Sequence, residues 1–455
     1  MNIVILGASQ VGSTIAQQLV SEHNDITVVD LDASRLKSLQ EHLDIRTVHG
    51  HAAYPEILEQ AGGKKIDMLI AVTHTDEVNI VACTIAHNLF NIRTKMARVR
   101  SNGYLAHQEL FASRQFPIDQ LITPGKLVTA HIKAVIDHPN ALQILDFAQG
   151  KLKLIAIQAA QNGALIGQPL SVFRKHLPDV DIRVTAIYRN KQTIVPEGNT
   201  VIQQNDKVFF VATERNILLM INEIRPFDKH YQRIIIAGGG NIGQNLASVL
   251  EHKYQIKVIE QNPARCKQMS ATLARSVILK GSSTDKNLLL EEDIQHTDVF
   301  CALTNSDETN IMSALLAKRL GAKKNIALVN NPTYLELIEK NQLNIDIIVS
   351  PQEITISSLL SHIRQGNVIK AHSLLGGVAE AMEAIAQGDA KYSRVVGKAI
   401  EAIRLPEGVM ISAIVRDNQV LMAHDDTVVQ ENDHVILFVT NKNVIHEVEK
   451  LFQVR

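Results

Sequence analysis

Short apolar runs alternate with amphipathic stretches in the first part of the chain. The runs are continuous and rich in Val, Ile and Leu, as expected of strands that helices cover on both faces. Between them apolar residues recur at helical spacing, for example at Val11, Ile15 and Leu19. This alternation predicts a parallel, doubly wound sheet. The predicted strands are residues 3–6, 26–29, 45–48, 68–72 and 96–99.

The same pattern occurs a second time along the chain. The stretch "IVILGASQVGSTIAQQL" returns as "IIIAGGGNIGQNLASVL", and "DMLIAVTHTDEVNIVACTIAHNL" returns as "DVFCALTNSDETNIMSALLAKRL". The offset is 231 residues between Gly7 and Gly238 and 230 residues between Asp30 and Glu260. A repeat of this kind predicts two copies of one architecture.

A second kind of unit follows each copy. "IVPEGNTVIQQNDKVFFV" near residue 200 is echoed by "VLMAHDDTVVQENDHVILFV" near residue 427, and such β-branched runs between Asn, Asp, Gly and Pro predict small α+β modules. Each parallel domain also ends in a helix after a proline, predicted at 124–136 and 351–364. The predicted fold is α/β, with Rossmann-like domains at 1–138 and 229–366 and α+β modules at 139–228 and 367–455.

Composition narrows the function classes. The 455 residues are 45% hydrophobic, which is ample for buried cores. The 46 basic and 47 acidic residues nearly balance, so no strong field favours nucleic acid. Three widely spaced cysteines fit neither a disulfide framework nor a zinc cluster and are expected to be reduced thiols. "MNIVILGASQ" predicts a first strand rather than a signal peptide, and no apolar run approaches the roughly 18 residues of a membrane span. We therefore expect a cytoplasmic protein.

Two glycine loops carry the clearest chemistry. "ILGASQVG" and "IAGGGNIG" each follow a strand and open a helix, as dinucleotide-binding loops do. The second has all three glycines of G-x-G-x-x-G, whereas Ser9 replaces the middle one in the first; a serine there crowds a pyrophosphate slightly but can hydrogen-bond it. The alternative is a turn that only packs helix on strand. The loop residues expected to bind nucleotide are Gly7, Ala8, Ser9, Gln10, Val11 and Gly12, and Gly238, Gly239, Gly240, Asn241, Ile242 and Gly243.

Acidic residues end the second strand of each copy. Asp30 and Glu260 stand 18 and 17 residues after the last glycine of their loops. Such a carboxylate accepts hydrogen bonds from both ribose hydroxyls of an adenosine, and its charge repels a 2′-phosphate. The acids therefore favour NAD or an adenine nucleotide over NADP.

Polar residues also follow the fourth strand. In "VTHTDEVN" and "LTNSDETN" we expect Thr73, His74, Leu303 and Thr304 to lie beside the nucleotide, because ligands of open parallel sheets bind beyond the carboxyl ends of strands. The acids that come next in both segments are interpreted as the first turn of a helix.

Arginines end the fifth strand of the first copy only. Arg98 and Arg100 can reach phosphate there, whereas their aligned partners are Leu328 and Asn330. The two halves are therefore expected to differ, with a triphosphate preferring the first site.

Two histidines end the third strand in "HGHAA". His49 and His51 are two residues apart, a spacing that would allow a metal pair, but no further ligand stands at zinc-like spacing and no metal site is predicted.

Over its whole length the chain resembles the regulator-of-potassium-conductance (RCK) family in its tandem form. The resemblance rests on the tandem glycine loops with their acids, the "T-x-x-D-E-x-N" segments and the β-rich modules. It implies that the parallel domains bind NAD(H), with ATP or ADP at the first site. It also implies a ring of four chains, peripheral to the inner face of the cell membrane, beneath a membrane-embedded potassium transport subunit of the TrkH or TrkG type. The chain departs from the family pattern at Ser9 and, where many such domains carry Asp, at His51 and Ser282.

Two other function classes fit the sequence less well. An NAD-dependent oxidoreductase needs a general acid or base and a substrate clamp, but the histidines are scattered and the β-rich units repeat no His, Lys or Arg cluster. A redox-sensing transcription factor needs a DNA-reading module and positive charge, and the sequence has neither. Together with the resemblance, these features predict a regulator that gates potassium uptake and is not an enzyme.

Overall fold

The computed structural model describes residues 1–20, 24–107, 109–112, 115–172, 182–190, 192–226, 231–340, 343–363, 367–374, 379–441 and 444–453. In this part of the chain, parallel and antiparallel β-sheets alternate, two of each kind.

The first parallel sheet and its helices come from the first part of the chain. The strands are β1 (Asn2–Leu6), β2 (Asp25–Asp30), β3 (Arg46–His49), β4 (Met68–Ala71), β5 (Thr94–Arg98) and β6 (Gln120–Ile122). The helices are α1 (Gln10–Val20), α2 (Ala33–His42), α3 (Pro55–Gln60), α4 (Asp76–Phe90), α5 (Asn102–Leu105), α6 (Glu109–Ala112) and α7 (Pro124–Asp137). The strand order is β3-β2-β1-β4-β5-β6, which confirms a doubly wound sheet that reverses direction between β1 and β4.

An antiparallel module follows. Its elements are β7 (Ala141–Phe147), β8 (Leu152–Gln158), β9 (Ile182–Arg189), β10 (Gln192–Ile194), β11 (Lys207–Ala212) and α8 (Glu214–Ile224). The strands pair in the order β10-β9-β11-β8-β7.

The second parallel sheet repeats the first. Its strands are β12 (Arg233–Ala237), β13 (Gln255–Glu260), β14 (Val277–Lys280), β15 (Val299–Ala302), β16 (Lys324–Leu328) and β17 (Ile347–Val349). Its helices are α9 (Asn241–Leu250), α10 (Pro263–Thr272), α11 (Lys286–Glu291), α12 (Asp307–Arg319), α13 (Pro332–Lys340) and α14 (Pro351–Ile363). The order β14-β13-β12-β15-β16-β17 matches the first sheet strand for strand.

The second antiparallel module repeats the first in the same way. Its elements are β18 (Val368–Leu374), β19 (Ala379–Ile385), β20 (Val409–Arg416), β21 (Gln419–Met422), β22 (His434–Val439) and α15 (Ile445–Leu451). The order β18-β19-β22-β20-β21 is again that of its counterpart.

The boundaries expected from the hydrophobic pattern agree with β1 to β5 within two residues. The largest correction is at β5, which begins at Thr94 and ends at Arg98 rather than spanning 96–99. The prediction missed the start of this strand because Lys95 interrupts the apolar pattern. Its side chain is nevertheless buried, where it pairs with Asp119 Oδ2 at 2.8 Å and donates to the carbonyl of Ile92. The proline-initiated helices end at residues 137 and 363, and residue 364 of the second expected range lies outside the described residues.

The chain packs into two compact units. One contains Met1–Pro124, Gln352–Gln365 and Asn441–Lys450, and the other contains Gly125–Pro351, Gly366–Thr440 and Leu451–Arg455. Helix α14 therefore packs in the first unit, where the amide of Gln352 donates to Gln10 Oε1 at 2.6 Å. Helix α7 packs in the second unit, where it is anchored near the start of β13.

The cores follow from the strand sequences. The central strands β4 and β15 are buried at every position, as their wholly apolar runs require. Within the second unit, the two antiparallel sheets share one apolar cluster, in which the rings of Phe209 and Phe438 lie 5.9 Å apart. None of the helices in the described ranges is long and apolar enough to cross a membrane. Cys83, Cys266 and Cys301 are free thiols.

Candidate nucleotide sites

The first glycine loop joins β1 to α1, and packing within the protein requires two of its glycines. Gly7 has φ +109°, and a Cβ there would lie 3.1 Å from the backbone of Thr73. A Cβ on Gly12 would lie 1.8 Å from the carbonyl oxygen of Gly7, so any side chain would separate helix from strand. These glycines serve the turn and the close helix packing of the fingerprint.

The second loop, between β12 and α9, repeats this geometry. Gly238 has φ +107°, and a Cβ there would lie 2.7 Å from the carbonyl oxygen of Leu303. A Cβ on Gly243 would lie 2.0 Å from the carbonyl oxygen of Gly238. Asn241 and Ile242 begin α9, as Gln10 and Val11 begin α1.

The middle position of the fingerprint is different, because no described residue comes close enough to require glycine there. A Cβ on Gly240 would meet only the Arg265 guanidinium, at an ordinary contact distance of 3.5 Å. In the first copy Ser9 takes this position, and its hydroxyl is buried with no hydrogen-bond partner among the described residues. A buried hydroxyl without a partner is costly unless a ligand completes it. Ser9 is therefore compatible with a phosphate-binding loop.

Each acid at the end of the second strand holds its glycine loop. Asp30 accepts from the amide of Ala8 at 2.5 Å and from the amide of Asp32 at 2.8 Å. Glu260 accepts from Gly239 at 2.8 Å and from the amide of Asn262 at 2.7 Å. Each carboxylate oxygen can accept further hydrogen bonds, so both acids retain capacity for a ribose.

The longer acid is paired with the smaller loop residue. A Cβ on Gly239 would lie 2.9 Å from Glu260 Oε2 and 2.4 Å from the end of the Met269 side chain. The shorter Asp30 instead leaves room for Ala8 in the first copy. Loop and acid are thus matched within each copy.

A cleft of about 1010 Å³ opens beside the first loop. It is lined by Gly7, Ser9, Asp30, Thr73 and His74, together with His49 and His51. The structure therefore brings residues from the ends of four neighbouring strands of the sheet to one cavity.

The two histidines at the end of β3 have separate hydrogen-bond partners. Nε2 of His49 lies 2.9 Å from the carbonyl oxygen of Leu31, and Nδ1 of His51 accepts from the amide of Ala53 at 3.3 Å. The His51 ring also lies 4.6 Å from that of Tyr54. No group of three or more metal-ligating side chains occurs in the described ranges.

Asn79 fastens the ends of β4 and β5, a role that the sequence did not reveal. Its oxygen accepts from the amide and hydroxyl of Thr73 at 2.9 and 2.7 Å, and its nitrogen donates to the carbonyls of Thr73 and Arg98 at 3.2 and 2.9 Å. Asn310 makes the same four bonds to Thr304 and Leu328. The sequence signal that could have revealed this role is the Thr-x5-Asn spacing, which is present in both copies.

The acids after the fourth strand begin α4 and α12, as expected, and also hold the loop after the fifth strand. Asp76 accepts from the amides of Arg100 and Ser101 at 2.9 and 2.8 Å. Asp307 accepts from the amides of Asn330 and Asn331 at the same two distances. The "T-x-x-D-E-x-N" motif is therefore a clamp on two strand ends.

The arginines at the end of β5 are already engaged by the main chain. Arg98 donates to the carbonyl of Thr73 at 2.9 Å, and Arg100 donates to the carbonyl of His74. Burial, and then the charge of Arg100, lower the pKa of Arg98 to about 10. Nε of Arg98 is buried with no partner among the described residues, and Arg98 is not among the residues that line the cleft beside the first loop.

Family models match most of the chain. Residues 3–124 and 234–351 match the TrkA-N domain, and residues 154–225 and 390–453 match the TrkA-C domain. The chain belongs to the TrkA family. This confirms the tandem RCK organisation inferred from the repeated motifs.

TrkA relatives align over the full length. The Trk system potassium uptake protein TrkA of Halomonas elongata is 54% identical over 454 residues, covering 100% of this chain and 99% of the relative. The proteins of the same name from Vibrio alginolyticus and Haemophilus influenzae are 49% and 42% identical with the same coverage. These relatives are named as potassium uptake proteins and not as enzymes, in agreement with the expected non-enzymatic role.

Solved structures share the fold. The RCK domain of GsuK is 18% identical, with a TM-score of 0.61 over 99% of this chain and 94% of that one. The GsuK channel bound to NAD has the same identity and TM-score over 99% of this chain and 78% of that one. Both parallel and antiparallel modules therefore have the RCK fold.

Proposed function

We propose that this chain is the nucleotide-binding regulatory subunit of a Trk-type potassium uptake system, and that NAD(H) binds in both parallel-sheet domains. The observation that carries the proposal is the pair of glycine loops, each closed by an acid, with the unpartnered Ser9 hydroxyl in the first. The names of the TrkA relatives support the potassium uptake role. The fold shared with the GsuK channel bound to NAD supports the choice of nucleotide.

The chain's own residues divide the binding between them. The amides at the starts of α1 and α9 point to the phosphates, where the helix dipole favours negative charge. Asp30 and Glu260 hold the adenosine ribose while retaining their loop amides. Thr73, His74, Leu303 and Thr304 border the ligand at the ends of β4 and β15. The nucleotide supplies only binding free energy and is not consumed.

The first site is proposed to accept ATP or ADP as well. Three imidazoles, those of His49, His51 and His74, line its cleft, whereas the aligned residues of the second copy are Lys280, Ser282 and Asn305. The first copy also carries a guanidinium, Arg98, at the strand end where the second copy has Leu328.

Binding is proposed to gate transport through a change of conformation. Four chains would form a ring at the cytoplasmic face of the membrane, against a transport subunit of the TrkH or TrkG type. A ligand shifts such a gate only if it binds the two arrangements with different affinity. A coupling of about 1 to 3 kcal/mol would change the gate equilibrium roughly 5- to 150-fold.

The test reconstitutes the chain with its transport subunit in liposomes and follows potassium flux while NADH or ATP is added. The matched control combines Gly12→Asp and Gly243→Asp, because side chains at both positions meet a backbone carbonyl. We expect nucleotide-dependent flux with the native chain and none with the control. A flux indifferent to every adenine nucleotide would overturn the proposal, and steady NADH oxidation with a small-molecule substrate would favour an oxidoreductase instead.

A further inference from the structure

The helices that follow the second strands begin with the same cap in both copies. Oδ1 of Asp32 accepts from the amides of Ser34 and Arg35 at 2.9 and 3.3 Å. Oδ1 of Asn262 accepts from the equivalent amides, those of Ala264 and Arg265, at the same two distances. The hydrogen bonds of Oδ1 are therefore equivalent in the two caps, and an arginine stands three residues after each cap residue.

The remaining atom of the cap side chain is different. Oδ2 of Asp32 is a carboxylate oxygen, and it holds Nε of Arg35 at 3.2 Å. Asn262 has an amide NH2 group in place of that oxygen, which donates and cannot accept from a guanidinium. Its arginine is therefore released from the cap, and Nη1 of Arg265 donates instead to the carbonyl of Gly239 at 3.2 Å.

Arg265 consequently lies over the second glycine loop. Its Nη1 is 3.5 Å from the position that a Cβ on Gly240 would occupy, and Gly240 is the residue at which the fingerprint brings backbone and pyrophosphate together. A neutral carbonyl is a weaker partner for a guanidinium than phosphate, which accepts charge-assisted and bidentate bonds. Arg265 is thus placed so that its guanidinium could leave the carbonyl of Gly239 and bind a ligand phosphate instead.

In the first copy the equivalent arginine, Arg35, lines the cleft beside the glycine loop but is paired with a carboxylate. Arg35 is held by the Asp32 carboxylate, and the guanidinium groups of Arg98 and Arg100 donate to the carbonyls of Thr73 and His74. The greater number of arginines in the first copy therefore does not give it the more available charge at the loop.

We propose that Arg265 clamps the diphosphate of a dinucleotide in the second domain, and that the cap residue, Asn262 or Asp32, decides whether its arginine is available to the ligand. The inference rests on the proposed function and assigns the tighter diphosphate site to the second domain. Exchanging the two caps should exchange this property between the sites.

The experiment titrates the full chain with NADH by calorimetry and compares cap variants. Asn262→Asp creates the carboxylate that holds the arginine, whereas Asn262→Ser keeps a good helix cap without it. We expect Asn262→Asp to weaken the tighter class of sites roughly two- to fivefold, the range that an exposed ion pair can compete away, and Asn262→Ser to leave it unchanged. Arg265→Gln should reproduce the loss, and Asp32→Asn should tighten the weaker class severalfold.

Adenosine and NADPH are the probes that separate a phosphate clamp from a structural effect. Adenosine has no phosphate, so its affinity should be the same in Asn262→Asp and Asn262→Ser. Equal NADH affinities in those two variants, with native binding intact, would overturn the inference and leave the proposed function standing. A larger loss for NADPH than for NADH would also overturn it, because Arg265 would then bind a 2′-phosphate. No binding of NADH by the native chain would overturn the proposed function itself.

Discussion

At the scale of single residues, the buried asparagines of the motif use all of their hydrogen-bonding capacity. Asn79 and Asn310 are both fully buried, and each joins a helix to two strand ends. An aspartate of the same shape would lose both donated bonds and bring a charge into the interior, where it is costly unless paired. The two copies differ only in what lies nearby, because Arg98 stands where the second copy has Leu328.

This difference predicts unequal effects of one substitution. Asn310→Asp should lower the free energy of local unfolding by about 3 kcal/mol, the usual cost of an unsatisfied buried polar group that carries charge. Asn79→Asp should cost less, because the guanidinium of Arg98 bonds the carbonyl of Thr73 beside it. Hydrogen exchange of peptides from β4 and β15 measures both. Asn287→Asp, exposed in the first turn of α11, is the control and should change neither.

Lys324 is a second residue whose buried environment should have a measurable effect on stability. It is buried at the start of β16, with Nζ 3.4 Å from the carbonyl of Ala141 and 6.0 Å from the centre of the Tyr231 ring. Burial lowers the pKa of Lys324 to about 8, against the opposing effect of Asp346. A depressed lysine pKa means that the folded protein carries the charge at a cost of about 3 kcal/mol near pH 7.

Lys324→Met should therefore be more stable than the native chain at pH 7, by about 1 to 3 kcal/mol. Between pH 8 and pH 10.4 the unfolded native chain keeps a proton at this lysine that the folded chain has released. The free energy of unfolding of the native chain therefore rises with pH in this window, whereas this contribution is absent from the variant. The difference between the two proteins should shrink across this window. Thermal unfolding at several pH values measures it, and Cys83 and Cys301, whose pKa burial raises to about 12, titrate in both proteins. A constant difference would show that the lysine is not the titrating group.

At the scale of elements, helix α7 is attached to the second parallel domain by one carboxylate. Asp137, its last residue, accepts from Lys253 Nζ at 2.6 Å and Tyr254 Oη at 2.7 Å, and it also pairs with Lys133. Burial opposes the charge, but these three donors lower the pKa of Asp137 to about 2. Because Lys253 and Tyr254 lie between α9 and β13, the helix that begins at the second glycine loop ends beside the α7 anchor.

Asp137→Asn should reduce stability at pH 7 by about 1 to 2 kcal/mol, a value discounted because the group is partly exposed to solvent. The native carboxylate contributes this stability above its unfolded pKa near 3.9, and loses it as pH falls towards 2. The two proteins should therefore converge in acid. Tyr254→Phe removes one donor without changing the charge, so it should cost less and show a smaller pH dependence. Unfolding followed by circular dichroism between pH 2 and pH 7 distinguishes the variants.

The strands and glycine loops could be predicted from the sequence, whereas the orientations of two arginine side chains could not. Continuous apolar strands and glycine loops occur as expected because backbone sterics and burial act locally, and the internal repeat confirms each element a second time. The orientation of the Arg98 side chain could not be predicted from the sequence, because it depends on a hydrogen bond to a carbonyl 25 residues away. The release of Arg265 was missed for a similar reason: it depends on one atom of the cap residue, Asn262, which became visible only in three dimensions. The four domain boundaries and the nucleotide contacts stay predictions.

At the scale of the whole molecule, the two antiparallel sheets share one apolar core within the second unit. Glu383 on β19 is fully buried and links the two sheets by a hydrogen bond. Glu383 accepts from the amide of Ala148 at 2.9 Å and lies 2.6 Å from Nδ1 of His434. Ala148 has a positive φ of 46°, so a side chain of the second sheet stabilises an unfavourable turn between β7 and β8 of the first.

Glu383→Leu should cost about 2 to 3 kcal/mol, because the buried amide of Ala148 would lose its acceptor. Glu383→Gln is the matched control: its oxygen can still accept from Ala148, and its NH2 group lies within reach of the ring nitrogen of His434, so we expect less than 1 kcal/mol. The free energy of unfolding, followed by near-ultraviolet signals and hydrogen exchange of β7 and β8 peptides, compares the two. If the sheets form one module, Glu383→Leu should expose strands of both sheets together, although the substitution lies in only one of them. Exposure confined to β18 and β19 would mean that each sheet unfolds alone, and a nucleotide signal could not then pass between the halves of the chain through this shared core.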